Sequence, residues 1–218
     1  MIRTRPRRAV KLAAVLAVVA GLFVTGCGQV RAGAAALVGD QRIAIEELSQ
    51  SVEATSEAAA ENNLRVTDRG ALVRAVLSRQ ITGVLLEAAA QRHGISVTRG
   101  EVDRQIAKSG GRKRLEMQML RSAVAPEDLR SFMRHQIIRR QLAQEVSQGG
   151  GPRAQQQALM KYLQKTARRL DITVSPRYGS FNAGQLRVVQ EKSQLSTPDP
   201  DSQPTAGLSE PAGSGSSG

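Results

Sequence analysis

VLSRQITGVLLEAAAQRHGISVTRGEVDRQI, residues Val76–Ile106, carries the clearest structural pattern in this 218-residue chain. With the residues just before it, the stretch places Leu72, Val73, Val76, Leu77, Ile81, Val84, Leu85 and Ala88 at three- and four-residue spacing. That spacing predicts a long helix with one apolar face. Thr67 or Asp68 stands where a cap belongs, and Gly94 stands where the helix should stop. Thr98-Arg99-Gly100-Glu101 then reads as a capping box opening a shorter helix to about Lys108, which Gly110-Gly111 ends.

Outward from this centre the chain reads as more helices. Residues 46–62 and 113–122 each predict one. Ala125-Pro126-Glu127-Asp128 supplies a proline and acids at the start of a long helix to about Val146, with Leu129, Phe132, Met133, Ile137, Ile138 and Leu142 at helical spacing. Gly149-Gly150-Gly151-Pro152 is a break before a last helix through Leu170. Two short apolar runs, Ala36–Val38 and Ile172–Val174, lie near the two ends of this region. Unpaired strand edges need partners, so the two are expected to form a small two-stranded sheet joining the ends. Gly39-Asp40-Gln41 reads as a turn, and Ile43-Ala44-Ile45 as the lead into the first helix.

The N-terminus has a different character. Arg3, Arg5, Arg7, Arg8 and Lys11 precede a wholly apolar run, Leu12–Val24, which has the form of a secretory signal. Val24-Thr25-Gly26-Cys27 follows and resembles the lipobox of bacterial lipoproteins, in which the peptidase cuts before a diacylglycerol-modified cysteine. Residues 1–26 are therefore expected to be a lipoprotein signal peptide, Cys27 the palmitate-bearing lipidation site, and 27–34 a lipidated linker. The helical domain is expected over 35–190. A Ser-, Pro- and Gly-rich tail over 191–218 is expected to be disordered, because it has too little apolar surface to offset its ordering entropy.

Charge and composition narrow the partners. The formal net charge is +12 and falls to +7 once the five leader bases are removed. An exported protein does not meet the chromosome, and only 2% aromatic residues leave no base-stacking surface, so no nucleic acid partner is expected. With one cysteine there is no disulfide framework. No phosphate-binding glycine loop, HExxH, zinc cysteine pair or Gly-x-Ser-x-Gly elbow occurs, so no catalytic residue, metal or cofactor is expected and the chain reads as a non-enzyme. His93 and His135 read as structural or surface residues, and Glu46-Glu47 as acids placed for the helix dipole.

ALVGDQRIAIEEL resembles the opening of the SurA N-terminal chaperone family. The hinge Ala90, Gly94, Ile95, Val97, Thr98, Glu101 and Val102 resembles that family's central A-x-x-x-G-I-x-V-[ST]-x-x-E-V signature, and EDLRSFMRHQIIRRQL its later long helix. The likeness spans residues 35–147. It implies a mainly α, multi-helix chaperone domain with a small two-stranded sheet joining its ends. It also implies a chaperone with unfolded or secreted proteins as clients, and together with the lipobox at Cys27 the expectation is a lipid-anchored extracytoplasmic holdase on the cell membrane. The alternative is an adaptor or structural lipoprotein with one fixed partner. Related foldases carry parvulin prolyl-isomerase modules, but between Ser147 and Ile172 there is room for only one helix, so isomerase chemistry is not expected.

Chaperones of this type bind clients through exposed apolar grooves. Met117, Met119, Phe132, Met133 and Met160 are the candidate client-binding residues, since flexible thioethers adapt to varied shapes; core filling is the competing role for the methionines. The apolar helix faces are expected to exceed what so small a domain buries. Arg130, Arg134, Lys161, Arg168 and Arg169 form a candidate basic face toward acidic clients or lipid headgroups, or simply a solvated surface.

Overall fold

The computed structural model describes residues 33–191. The expected signal peptide, Cys27, the expected linker up to residue 32 and the tail beyond residue 191 lie outside the described residues.

The described chain runs β1 (Ala34–Val38), β2 (Gln41–Ala44), α1 (Ile45–Glu61), α2 (Arg69–Arg92), α3 (Arg99–Lys108), α4 (Arg112–Arg121), α5 (Leu129–Ser147), α6 (Pro152–Arg169), β3 (Ile172–Val174), β4 (Ser180–Asn182) and β5 (Arg187–Val189). Among the described residues the fold is mainly α, six helices with small sheet elements where the two ends of the described segment meet.

The caps explain where the central helices begin and end. Asp68, not Thr67, caps α2, its side chain accepting from the Ala71 N–H at 2.9 Å. Gly94 follows the helix with φ +65, a conformation in which a side chain is strained. Both arms of the Thr98/Glu101 capping box are formed, Glu101 N–H to Thr98 Oγ1 at 3.2 Å and Thr98 N–H to Glu101 Oε2 at 2.7 Å. The proline at 126 opens a single 3-10 turn, Pro126–Asp128, which runs directly into α5.

The expectation of a single apolar face on α2 does not hold. Val76, Leu77, Ile81 and Leu85 are buried as expected, but so are Gly83, Leu86, Ala89 and Ala90, which point to the other side, while Val84 and Ala88 are only half-buried. The cause is position. α1, α5, α6, β1 and β5 all pack against α2, so it has almost no solvent face.

Ala36–Val38 and Ile172–Val174 pair as expected, antiparallel, with Ala36 opposite Val174 and Val38 opposite Ile172. The sheet has a third strand. Residues 41–44, read from sequence as the end of a turn and a helix lead, instead fold back on β1 through the two-residue turn Gly39-Asp40. β1 is thus the middle strand of the order β2-β1-β3, and Ala34, Ala35 and Ala36 are almost fully buried between the sheet's neighbours and the helices. After the Gly149–Pro152 break, α6 packs back along α5 and delivers β3 to β1.

A second hairpin, β4 with β5, was not legible in the sequence. It lies against α2, where the Val188 N–H donates to Ser78 Oγ at 2.8 Å. Gly179 makes its close return possible. Its φ of +106 suits glycine, and a Cβ there would collide with the Val189 carbonyl oxygen. Gly179→Ala is therefore expected to cost about 2 kcal/mol or more. A urea midpoint equal to that of the parent would show that the hairpin tolerates the side chain.

Candidate functional site

α2 and α5 cross with a glycine at the contact. A Cβ on Gly83 would lie 2.7 Å from His135 Cε1, so the imidazole of α5 rests directly on the α2 backbone. Glycine inside a helix costs about 1 kcal/mol relative to alanine, and here the close approach of another helix is the compensation.

His135 and Gly83, with Arg79, form a wall shared by two clefts. The β2-side cleft, about 560 Å³, carries charges of both signs, including Arg42, Glu47, Glu87 and Asp128. The front cleft, about 330 Å³, lies between α2 and α5. Phe132, His135, Gln136 and Arg139 line it from α5 at positions i, i+3, i+4 and i+7, one face of that helix. Ser78, Thr82 and Leu86 line it from α2, and Leu186 of the β4–β5 turn closes one end.

A polar network fixes the seam. Arg134 grips Glu87 with two hydrogen bonds, Nε to Oε1 at 2.7 Å and Nη2 to Oε2 at 3.0 Å, and its Nη1 donates to the Val97 carbonyl at 2.6 Å. One α5 residue thereby fastens α2 and the hinge leading to α3. The hydrogen bond from Arg134 holds Glu87 below the usual carboxylate range, and the same pair raises Arg134. His135 Nε2 lies 3.5 Å from Glu87 Oε1. Burial nevertheless pushes the imidazole's pKa down, opposed by Glu87 and helped by Arg134, Arg79 and Arg139. Arg79 meets Asp128 at 3.5 Å, while its buried Nε has no hydrogen-bond partner among the described residues.

The residues singled out from sequence are dispersed. Met119 and Met133 are buried in the core, Met117 is half-buried on α4, and Met160 is 42% exposed on α6. Phe132 lines the front cleft and, together with Met133, a shallow depression toward α4. Of the basic face, Arg130 is paired with Asp103 at 2.7 Å and Arg134 with Glu87, so both tie helices together; Lys161, Arg168 and Arg169 are exposed on α6. The apolar faces are also better covered than expected. Among the described residues the exposed large hydrophobics are Leu64, Val66 and Met160. His93 caps the end of α2 and makes an edge-on contact with Tyr162, ring centroids 5.1 Å apart. The signal for the α2–α5 seam was Gly83, a glycine inside an otherwise strong helix pattern.

Among the described residues no group of three or more His, Cys, Asp or Glu side chains is placed to hold a metal ion. The hydroxyls of the front cleft donate internally, Ser78 to the Arg74 carbonyl, Thr82 to that of Ser78 and Ser122 to that of Gln118. What the cleft offers a ligand is cationic and amide donors above an apolar floor.

The family model described as SurA-like N-terminal domain matches residues 1–143, about two thirds of the chain. The chain belongs to this family. No curated protein and no solved structure matches it. The SurA-like N-terminal domain is a chaperone-type, non-catalytic domain, and domains of this kind bind unfolded client proteins. The match takes in β1 through most of α5, and hence the Gly83–His135 contact and the α5 side of the front cleft; α6, β3 and the β4–β5 hairpin lie beyond it.

Two outcomes test this geometry. Gly83→Ala is expected to destabilise the parent chain but to stabilise a His135→Ala background by up to about 1 kcal/mol, the helix-propensity gain once the imidazole is gone. Equal effects in both backgrounds, read from urea unfolding, would place the imidazole elsewhere. The second concerns pH. With its folded pKa below 6.5, His135 binds more proton in the unfolded chain, so stability should decline as pH falls through 6.5 toward the folded value. The Glu87–Arg134 pair acts lower, its contribution complete above 4.5 and lost as pH falls through the depressed carboxylate value. His135→Gln should remove the upper decline alone, and urea midpoints across both windows check it.

Proposed function

We infer that this protein is a lipid-anchored extracytoplasmic chaperone of the holdase kind, binding unfolded or exported proteins at the cell membrane. The observation that carries the reading is the family match over residues 1–143, which covers the helices bordering the two clefts. Clefts of about 330 and 560 Å³ are in the size range that takes a few side chains, which suits extended segments of polypeptide rather than a folded surface. The anchor is Cys27, after a basic segment and an apolar run. Two or more acyl chains give lasting attachment, each buried methylene adding about 0.8 kcal/mol.

A second reading, an adaptor lipoprotein with one fixed partner, is favoured by the few large hydrophobics left exposed among the described residues. A promiscuous holdase usually presents more apolar surface.

The full chain is expected to delay light scattering by several unrelated heat-unfolded proteins without speeding proline-limited refolding, whose uncatalysed steps take roughly tens to hundreds of seconds. Cys27→Ser is expected to abolish lipid labelling and membrane retention. No effect on scattering at several-fold excess, with a single protein recovered by crosslinking, would select the adaptor. Accelerated refolding would overturn the non-catalytic reading, and unchanged lipid labelling of the serine variant would remove the anchor.

A further inference from the structure

The front cleft is unusual in its charge. Its titratable lining groups are Arg79, His135 and Arg139, and no carboxylate lines it, although the β2-side cleft across the same wall has three. Arg79 has its acid partner, Asp128, on that other side. Arg139 has no acid partner among the described residues. It is an exposed residue that lines the cleft, and partial burial lowers its pKa, while Arg79 Nε lies buried without a hydrogen-bond partner. Because the serine and threonine hydroxyls are spent on helix carbonyls, the donors left to a ligand are those of Arg139, Arg79, His135 and Gln136. Beside them Leu86, Val124, Phe132 and Leu186 give an apolar floor.

We propose that the front cleft receives an aspartate or glutamate carboxylate of an extended client segment, with an apolar side chain of the same segment on the Phe132–Leu186 floor. The inference rests on the client-binding reading above and names the segment it selects. A planar guanidinium in a partly dry cleft suits a carboxylate, and the lack of any acid in the lining removes internal competition for it. The volume admits one or two side chains, so the cleft reads a short acidic-apolar pair and not a whole fold. Alternation of side chains along an extended strand would put a carboxylate and its i+2 neighbour on one side, facing the cleft together.

The test uses the full chain and two labelled octapeptides, one repeating Glu-Glu-Val-Val so that each acid has a valine at i+2 on its own side, the other with Gln in place of every Glu. The Glu peptide should bind the parent more tightly than the Gln peptide, and Arg139→Gln should weaken it about tenfold, as expected for loss of one charge-assisted contact. Gln136→Glu, which places a carboxylate in the cleft, should weaken it as well and serves if the arginine variant does not fold. Arg168→Gln on the exposed face of α6 removes the same charge elsewhere and should change binding less than twofold. Equal losses from Arg139→Gln and Arg168→Gln, or equal affinity for both peptides, would overturn the proposal. So would phosphatidylglycerol vesicles losing binding to Arg139→Gln while the Glu peptide does not, which would assign the cleft to a lipid headgroup. The scattering assay separates the two readings. Suppression of aggregation without selective peptide binding overturns only the acidic-segment proposal; selective binding without suppression leaves the cleft's selectivity standing and overturns the holdase.

Discussion

α2 has almost no face of its own to show to water, and the rest of the architecture follows from enclosing it. A helix with buried residues around its whole circumference needs neighbours on every side. The chain supplies α1 before it, α5 and α6 after it, and strands drawn from both ends of the described domain. The sheet is therefore part of the enclosure. β1 comes before α2 and β3 after α6, and their pairing closes the helical layer around the central helix. The run of alanines in β1 is the local counterpart, since small side chains let a middle strand lie close against helices.

Burial of this kind leaves a problem wherever polar side chains fall at a seam. Along α2 and α5 the chain meets it with a bidentate pair, Arg134 on Glu87, whose third hydrogen bond ends on the Val97 carbonyl and so holds the α2–α3 hinge. A neutral imidazole laid on Gly83 fills the crossing without a charged group in a dry place. That contact also divides the seam. Acids collect on the β2 side, while the other side is lined by Arg79, His135 and Arg139 with no carboxylate among them, and this asymmetry gives the front cleft a chemistry distinct from the general basicity of the surface.

The fold was legible where local rules act alone. The Thr98–Glu101 box, the glycine after α2 and the proline before α5 are local features that commit the backbone with no distant partner, and each stands where the sequence put it. The pairing of β1 with β3 was legible for a related reason: two short apolar runs near the ends of a helical region have few other ways to satisfy their backbone groups. β2 was misread although Gly39-Asp40 is a hairpin signal, because Ile43 and Ile45 also fit a helix entry and only β1 lying alongside decides between them. The β4–β5 hairpin has strands of three residues each, too short for alternation to register.

The candidate site divides the same way. Phe132 was visible as a helix-spaced aromatic, but Met133 belongs to the same series and, like Met119 on α4, went to the core, because period alone does not say which neighbour covers a residue. Arg130 and Arg134 look in the sequence like any exposed base; their partners, Asp103 and Glu87, are 27 and 47 positions away, and only the packing of α5 on α3 and α2 joins them. By itself the sequence determined the helices, their caps, the apolar run before Cys27 and membership of a chaperone-type family, all of which depend on neighbours within a few turns or on an ordered series of such segments. Tertiary structure alone decided that α2 is covered along nearly its whole length, that His135 rests on Gly83, and that two arginines and a histidine border one cleft without an acid, because each is a contact between helices whose positions are set by the burial of everything else.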